Sequence, residues 1–354
     1  MLAHRFLSHS KALIPGLLLS ALIALIASYL GDFHALQSHG LSALTIAIIL
    51  GMVIGNTWYQ PREAIFNAGV TLSKHNLLRL GIILYGFRLT LQDIQGVGVA
   101  GITSDLLVLC TTFALALFIG IKLLKLSRDS VVLIGAGSSI CGAAAIMASD
   151  GVVDAKAEDV SVAVSTVVVF GSIAIFLYPY LYQLNDAWNL LANHGNSFGI
   201  YAGSTIHEVA QVVAAGRSIS PQVADTAVIT KMVRVMMLAP FLLLLPILLE
   251  RLTPSKAALN NGVTKKSKVT IPWFAFLFIA TALVNSMHIL PAALVHVLVQ
   301  IDTILLAMAM AALGLTTHLS AVRKAGTKPL LLALILFGWL IIGGALINQL
   351  VFWL

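Results

Sequence analysis

Apolar runs of roughly 20 residues recur along the whole chain, each long enough to cross the hydrocarbon core of a bilayer as a helix. Eleven can be counted, at about 12–30, 41–56, 70–91, 97–123, 131–150, 158–183, 199–216, 223–249, 272–289, 295–318 and 328–352. In lipid a backbone must satisfy its own N–H and C=O groups, so runs of this length become helices. The expected fold class is an all-α polytopic membrane protein of about 11 transmembrane helices. Composition agrees: 59% of the 354 residues are hydrophobic and 10% charged, where soluble domains carry about 25% charged residues. A water-soluble enzyme is excluded, as are collagen-like, disordered and disulfide-rich chains. The two cysteines, Cys110 and Cys141, lie in apolar surroundings and imply no disulfide framework.

Lys+Arg total 21 against 14 Asp+Glu, a net charge of +7. Here the basic residues fall in short connections, where they orient the chain, so no nucleic-acid partner is expected. Basic residues precede spans 1 (His4, Arg5, Lys11), 3 (Arg62, Lys74), 5 (Lys122, Lys125, Arg128), 9 (Arg251, Lys256, Lys265, Lys266, Lys268) and 11 (Arg323, Lys324, Lys328). All fall on one side if the N-terminus is cytoplasmic and the C-terminus lies outside. The other side then carries Asp32, Asp93 and the cluster Asp150, Asp154, Glu158, Asp159. Two features disagree with this scheme: the acidic 184–198 loop, placed inside, and Arg217, placed outside. The first span is longer than the apolar core of a secretory signal and reads as an uncleaved helix. The long polar linker, 250–270, has no composition of a second domain, so residues 1–354 are expected to form one membrane domain.

Two internal echoes appear when the sequence is slid along itself. At an offset of 66, Ser138-Ser139-Ile140 matches Ser204-Thr205-Ile206, Ala148 matches Ala214, and Asp159 matches Asp225. At an offset of 228, Gly86, Leu91 and Gly98 match Gly314, Leu319 and Gly326. Duplication with Gly-interrupted apolar segments is the sequence sign of a secondary transporter. With eleven crossings the first echo relates parallel spans and the second inverted ones, which no single repeat scheme reconciles.

Three segments could carry chemistry. Gly135-Ala136-Gly137-Ser138-Ser139-Ile140-Cys141-Gly142 concentrates small residues in a span, and a break near Ser138 would aim the amides of a restarting helix into a cavity. Close helix packing through small residues explains the same stretch equally well. In Gly203-Ser204-Thr205-Ile206-His207-Glu208-Val209-Ala210-Gln211, an imidazole beside a carboxylate lies in an apolar run, with His207 and Gln211 on one helix face. Such groups at membrane depth face a cavity or a partner, unless all three sit hydrated at the interface. Lys231 and Arg234, spaced i,i+3, would each cost about 2.5–3.5 kcal/mol at a lipid-exposed helix centre, so they should face inward. Snorkelling, or pairing with Asp225 or Glu208, is the structural alternative. Arg88, His318 and Asp302 read first as helix-end residues.

An intramembrane hydrolase using Ser139, His207 and Glu208 is the enzymatic rival. His207-Glu208-x-x-Gln211 opens like the zinc-protease motif, but Gln replaces the second metal-binding His, so no metal site is expected. An anion channel is the other rival, although no selectivity motif is visible.

The blocks Leu78–Leu89, Gly135–Ala145, Ser204–Gly216 and Ala311–Thr317 together resemble the bacterial YeiH-type inner-membrane proteins, almost from end to end. That family is commonly described as sulfate exporters. The resemblance implies a multi-pass protein of the bacterial inner membrane, with inverted repeats and two crossed, broken helices, as in the bile-acid symporter and cation/proton antiporter folds. The expectation is then a carrier of a small anion such as sulfate, sulfite or a sulfonate, probing each side of the bilayer in turn. Binding residues are expected among Ser138, Ser139, Ile140, Cys141, Gly142, Ser204, Thr205, Lys231 and Arg234, with coupling through His207, Glu208 and Gln211. No cofactor is expected beyond a coupling H+ or Na+. The expected partners are the anionic solute and the lipid bilayer, with a homodimer left open.

Overall fold

The computed structural model of the chain describes residues 2–31, 33, 42–188, 194–252, 273–317 and 326–353. Most of the linker expected at 250–270, and the basic residues of the 318–325 connection, lie outside them. Among the described residues every regular element is helical, and seven helices are long and apolar enough to cross a membrane. The chain is an all-α polytopic membrane protein. Its lipid-facing side chains are the exposed Leu, Ile and Phe of these helices, such as Leu18, Leu106 and Leu243.

Helix α1 (Leu2–Gly31) is followed by α2 (Ala43–Ile54), α3 (Glu63–Leu72) and α4 (Leu78–Tyr85). Helical turns join the last three into one stretch, Ala43–Arg88, of 46 residues. At 1.5 Å per residue that is about 69 Å, twice a hydrocarbon core of about 30 Å. The chain turns back at Gln60-Pro61-Arg62, where Pro61 has no N–H to give and Arg62 leaves helical geometry (φ −114°, ψ 9°). Helix α14 (Ala292–Leu315) records the reversal: Gly55, just past α2, meets Leu315, Gly81 of α4 meets Leu306, and Arg88 reaches Asp302. The intervening helices are α5 (Leu91–Leu117), α6 (Arg128–Ser139), α7 (Ala143–Val153), α8 (Ala157–Trp188), α9 (His194–Thr205), α10 (Val209–Arg217), α11 (Pro221–Met236), α12 (Leu238–Leu252) and α13 (Trp273–Ser286), and α15 (Thr327–Trp353) closes the chain.

The two Gly/Ser-rich stretches are interrupted, as their sequences indicate, but each turns back instead of continuing across. In the first, a Cβ on Gly137 of α6 would fall 2.7 Å from Ile146 Cδ1 of α7. Nine residues of straight helix would hold these positions about 13 Å apart. Val152 and Val153 pack with Val132 and Ala136, and Ser127 Oγ donates to Asp159 Oδ1 at 3.5 Å. Residues 127–159 therefore leave and return on one side. In the second, α11 serves as a ruler: Gly199 meets Thr226 and Gly203 meets Ala227, and then Gly216 comes back to Ala224. Gln222 donates to Asn196, and Arg217 lies 3.6 Å from Asp225, so both open ends share a side.

The hairpins enter from opposite sides. The mouth of α6–α7 sits at the C-terminal end of α5, where Gly135 meets Phe113 and Ala116. The mouth of α9–α10 sits at the other end, where Gly96 and Val97 of α5 share a cavity with Asn196 and Thr226. Limbs of 9–12 residues span only about 14–18 Å, half the hydrocarbon depth. A count of apolar length cannot tell two half-depth limbs from one full crossing, which is why 131–150 and 199–216 read as spans.

This geometry removes the conflict between the two echoes. Helices α5 and α8 begin 66 residues apart, at Leu91 and Ala157, and each leads into a hairpin of opposite sense, so the 66-residue echo relates inverted units. The helices ending near Gly86 and Gly314 also run antiparallel, so the second echo is inverted as well. Two fewer crossings leave the sidedness of everything before 128 and after 217 unchanged. Only the 150–159 cluster and the 184–198 loop change sides, and the acidic loop no longer shares a side with Arg128.

Candidate functional site

The hairpin tips meet on one side chain. Lys231 of α11 donates from Nζ to Ile140 O at 2.8 Å and to Ile206 O at 2.6 Å, the two carbonyls that the 66-residue echo makes equivalent. One helical turn on, Arg234 Nε donates to Ser139 O at 2.8 Å. Both cations are fully buried, neither snorkelling nor paired with Asp225 or Glu208. Helix C-termini carry about half a negative charge each, so the ends of α6 and α9 are held by these two heads.

One amide at each N-terminal end is also engaged. Glu208, expected as a coupling group, accepts from Ala143 N at the start of α7 (3.2 Å) and caps its own helix α10 reciprocally with Gln211. Gln211 Oε1 takes the Glu208 amide at 2.9 Å, and its Nε2 donates to Glu208 Oε2 at 3.3 Å. The Ala143 amide is therefore engaged by an internal carboxylate.

Gly142 makes this contact sterically feasible. Its φ of +70° and ψ of −135° suit glycine, and a Cβ there would sit 2.3 Å from Glu208 Cγ. Gly142→Ala is expected to cost roughly 1–3 kcal/mol, read as a lower melting temperature of the purified protein. An unchanged melting temperature would contradict the described tip.

The other expected residues divide clearly. Ser204 Oγ donates to Ile200 O at 2.8 Å, and Thr205 Oγ1 donates to Tyr201 O while accepting from Tyr178. Ser139 Oγ donates weakly to Ala136 O, 3.5 Å away. Cys141 is a free, buried thiol. Ser138 Oγ, His207 Nδ1 and both Nη atoms of Arg234 are buried without a hydrogen-bond partner among the described residues. No serine hydroxyl is bonded to His207, so the hydrolase constellation Ser139/His207/Glu208 is not assembled. Among the described residues no group of three or more His, Cys, Asp and Glu side chains is placed to hold a metal.

Sequence reasoning passed over Asp105. It is fully buried on α5, with neither carboxylate oxygen partnered, and it lies within electrostatic range of Arg234 and Lys231. The signal was present: it is the lone charged residue between Asp93 and Lys122.

A polar cluster closes the mouth of α9–α10. Tyr85 OH donates to Asp225 Oδ1 at 2.6 Å and accepts from Arg217 Nη2 at 2.9 Å, and Arg217 and Arg88 lie over its ring at 5.2 and 5.3 Å. Arg88 is anchored by Asp302 at 2.6 Å, so neither residue is a mere helix end. Beside this cluster lies a cavity of about 430 Å³, lined by Asp93, Gln222, Asp225, Thr226 and Ile229, the last of them two residues before Lys231 on α11.

With this geometry in place, comparison with known proteins decides the kinship. The family described as Conserved hypothetical protein 698 (Cons_hypoth698) matches residues 15–333. The UPF0324 inner membrane protein YeiH of Escherichia coli K12 is 56% identical over 348 residues, covering 98% of this chain and 96% of the relative. The chain belongs to the UPF0324 family. A UPF0324 membrane protein of Pseudomonas aeruginosa is 57% identical over 346 residues (98% of this chain, 96% of the relative), and one of Photorhabdus laumondii 55% over 336 (95% and 92%). No solved structure matches the chain. UPF0324 relatives are named as membrane or inner membrane proteins, in keeping with the seven long apolar helices found here.

Proposed function

We propose that this UPF0324 protein is a secondary transporter that carries a small oxyanion across the bacterial inner membrane by alternating access. The observation that carries the reading is the meeting of two oppositely entered hairpins on Lys231, beside an Arg234 guanidinium whose two Nη atoms have no partner among the described residues. Paired half-depth elements meeting at the midplane are the usual site of substrate in such carriers. A guanidinium edge matches two oxygens of a sulfate- or sulfite-like group.

The basic connections favour a cytoplasmic N-terminus and a periplasmic C-terminus. On that orientation the cavity at Asp93 and Asp225 opens outward, and export is the direction the proposal takes from the family resemblance. The tip carbonyls that could ligate Na+ are engaged by the Lys231 ammonium, which favours H+ as the coupling ion.

Proteoliposomes test the reading by counterflow of labelled sulfite, sulfate and taurine. Accumulation of at least one of these against an unlabelled internal pool is the expected result, and no exchange of any would overturn it. Tyr85→Phe removes the hydroxyl shared by Asp225 and Arg217, and is expected to raise passive leak of the transported anion measured without a trans substrate. Leak equal to the unmodified protein would show that the cluster is no gate.

A further inference from the structure

Asp105 and Arg234 form an unusual pair. Both are fully buried, they lie within electrostatic range, and they form no ion pair. Helices α5 and α11 place them deliberately: Gly101 faces Thr230, and one turn further along each helix come Asp105 and Arg234. A buried carboxylate without hydrogen bonds is costly at membrane depth and contributes nothing to the fold that an apolar residue would not. Two unpartnered acceptors on α5 therefore lie in the same layer of the bundle as two unpartnered donors on α11, and Ser138 Oγ is also unpartnered.

The charged groups acting on Asp105 are Arg234 and Lys231, both from α11. The other helices packed on α5 are α6, α9, α13 and α15. Arg128 and Asp129 lie in the first turn of α6 and Lys328 in the first turn of α15, at the far end of α5. Helix α9 has no Asp, Glu, Lys or Arg and, among its described side chains, buries Tyr201, and α13 has no Asp, Glu, Lys or Arg. His207 lies just past α9, against Phe337 of α15.

An oxyanion held by the Nη edge of Arg234 brings its remaining oxygens toward Asp105. Two oxygens that both bear negative charge repel, whereas a single proton between them turns the contact into a hydrogen bond. We propose that Asp105 is the coupling residue of the transport reading above, and that each oxyanion binds together with one proton shared between itself and the Asp105 carboxylate. The proton arrives either on a monoprotic anion, such as hydrogensulfite, or on Asp105 when the anion is fully deprotonated. In both cases one proton crosses with each anion and is released with it. The inference rests on the transport reading and replaces His207 and Glu208 as the coupling pair, since Glu208 is engaged by helix amides and Gln211.

The test uses the full chain in proteoliposomes containing a pH dye, with labelled sulfite and labelled sulfate as probes. Anion flux and proton flux are read separately. The wild type is expected to move about one proton with each anion, and to accumulate anion when a pH gradient alone is imposed. In Asp105→Asn the protons moved per sulfate, an anion that brings no proton of its own, should fall from about one to near zero, and sulfate transport should lose its dependence on the gradient. Asp105→Glu should restore part of the proton flux. Wild-type anion flux without proton movement overturns the proposal, whether or not the variants fold. So does Asp105→Asn carrying protons with sulfate in the wild-type ratio. Absence of all anion flux in the wild type would instead remove the transport reading, and the proposal with it.

Discussion

Lys231→Gln is expected to destabilise the protein by about 3–5 kcal/mol, because two charge-assisted hydrogen bonds of about 1.5–3 kcal/mol each are lost and two buried carbonyls are stranded. Those carbonyls, Ile140 O and Ile206 O, terminate hairpin limbs that enter from opposite sides. Lys231 is thus the point at which the inverted units are joined, and its removal should loosen both tips together. The measurement is thermal or denaturant unfolding of the detergent-purified variant beside the wild type. A variant as stable as the wild type would mean that the tips are held apart from this ammonium.

Arg234→Gln should behave differently. Its structural share is one bond, Nε to Ser139 O, while its two Nη atoms make none among the described residues. The fold should therefore suffer less than in Lys231→Gln. Losing two charge-assisted bonds to an oxyanion should cost at least about 3 kcal/mol of binding, a fall of about 100-fold or more in affinity. Transport assays and melting curves on the same preparation separate the effects: lost flux with a near-native melting curve is expected. Wild-type flux in folded Arg234→Gln would remove this side chain from the binding site.

Much of this is legible in the sequence alone. Apolar length identifies the membrane class, because lipid offers no partner to a backbone. Glycines and serines at 135–142 and 203–205 mark both interruptions, and the cost of burying charge requires Lys231 and Arg234 to point inward. The direction of the chain after each interruption was not legible. Whether a helix resumes or reverses at Gly142 depends on one pair of dihedrals and on Glu208 arriving from a segment 66 residues away. The role of Glu208 was hidden for the same reason: adjacency to His207 suggested proton chemistry, while its partner is the Ala143 amide across the crossing. Asp105 stood out as a lone charge in an apolar helix, but its meaning required the register of α5 against α11. The conflict between the two echoes is the strongest sign in the sequence that 131–150 and 199–216 are not full crossings.

The central claim is that the buried guanidinium of Arg234 receives an oxyanion at the crossing of the hairpins. Calorimetric titration of purified wild type and Arg234→Gln with sulfite, and separately with sulfate, tests it most directly. The account predicts saturable binding of at least one of the two anions to the wild type, at about one site per chain, and its loss in a variant that still melts cooperatively. Equal binding by both proteins, or binding by neither, would contradict it.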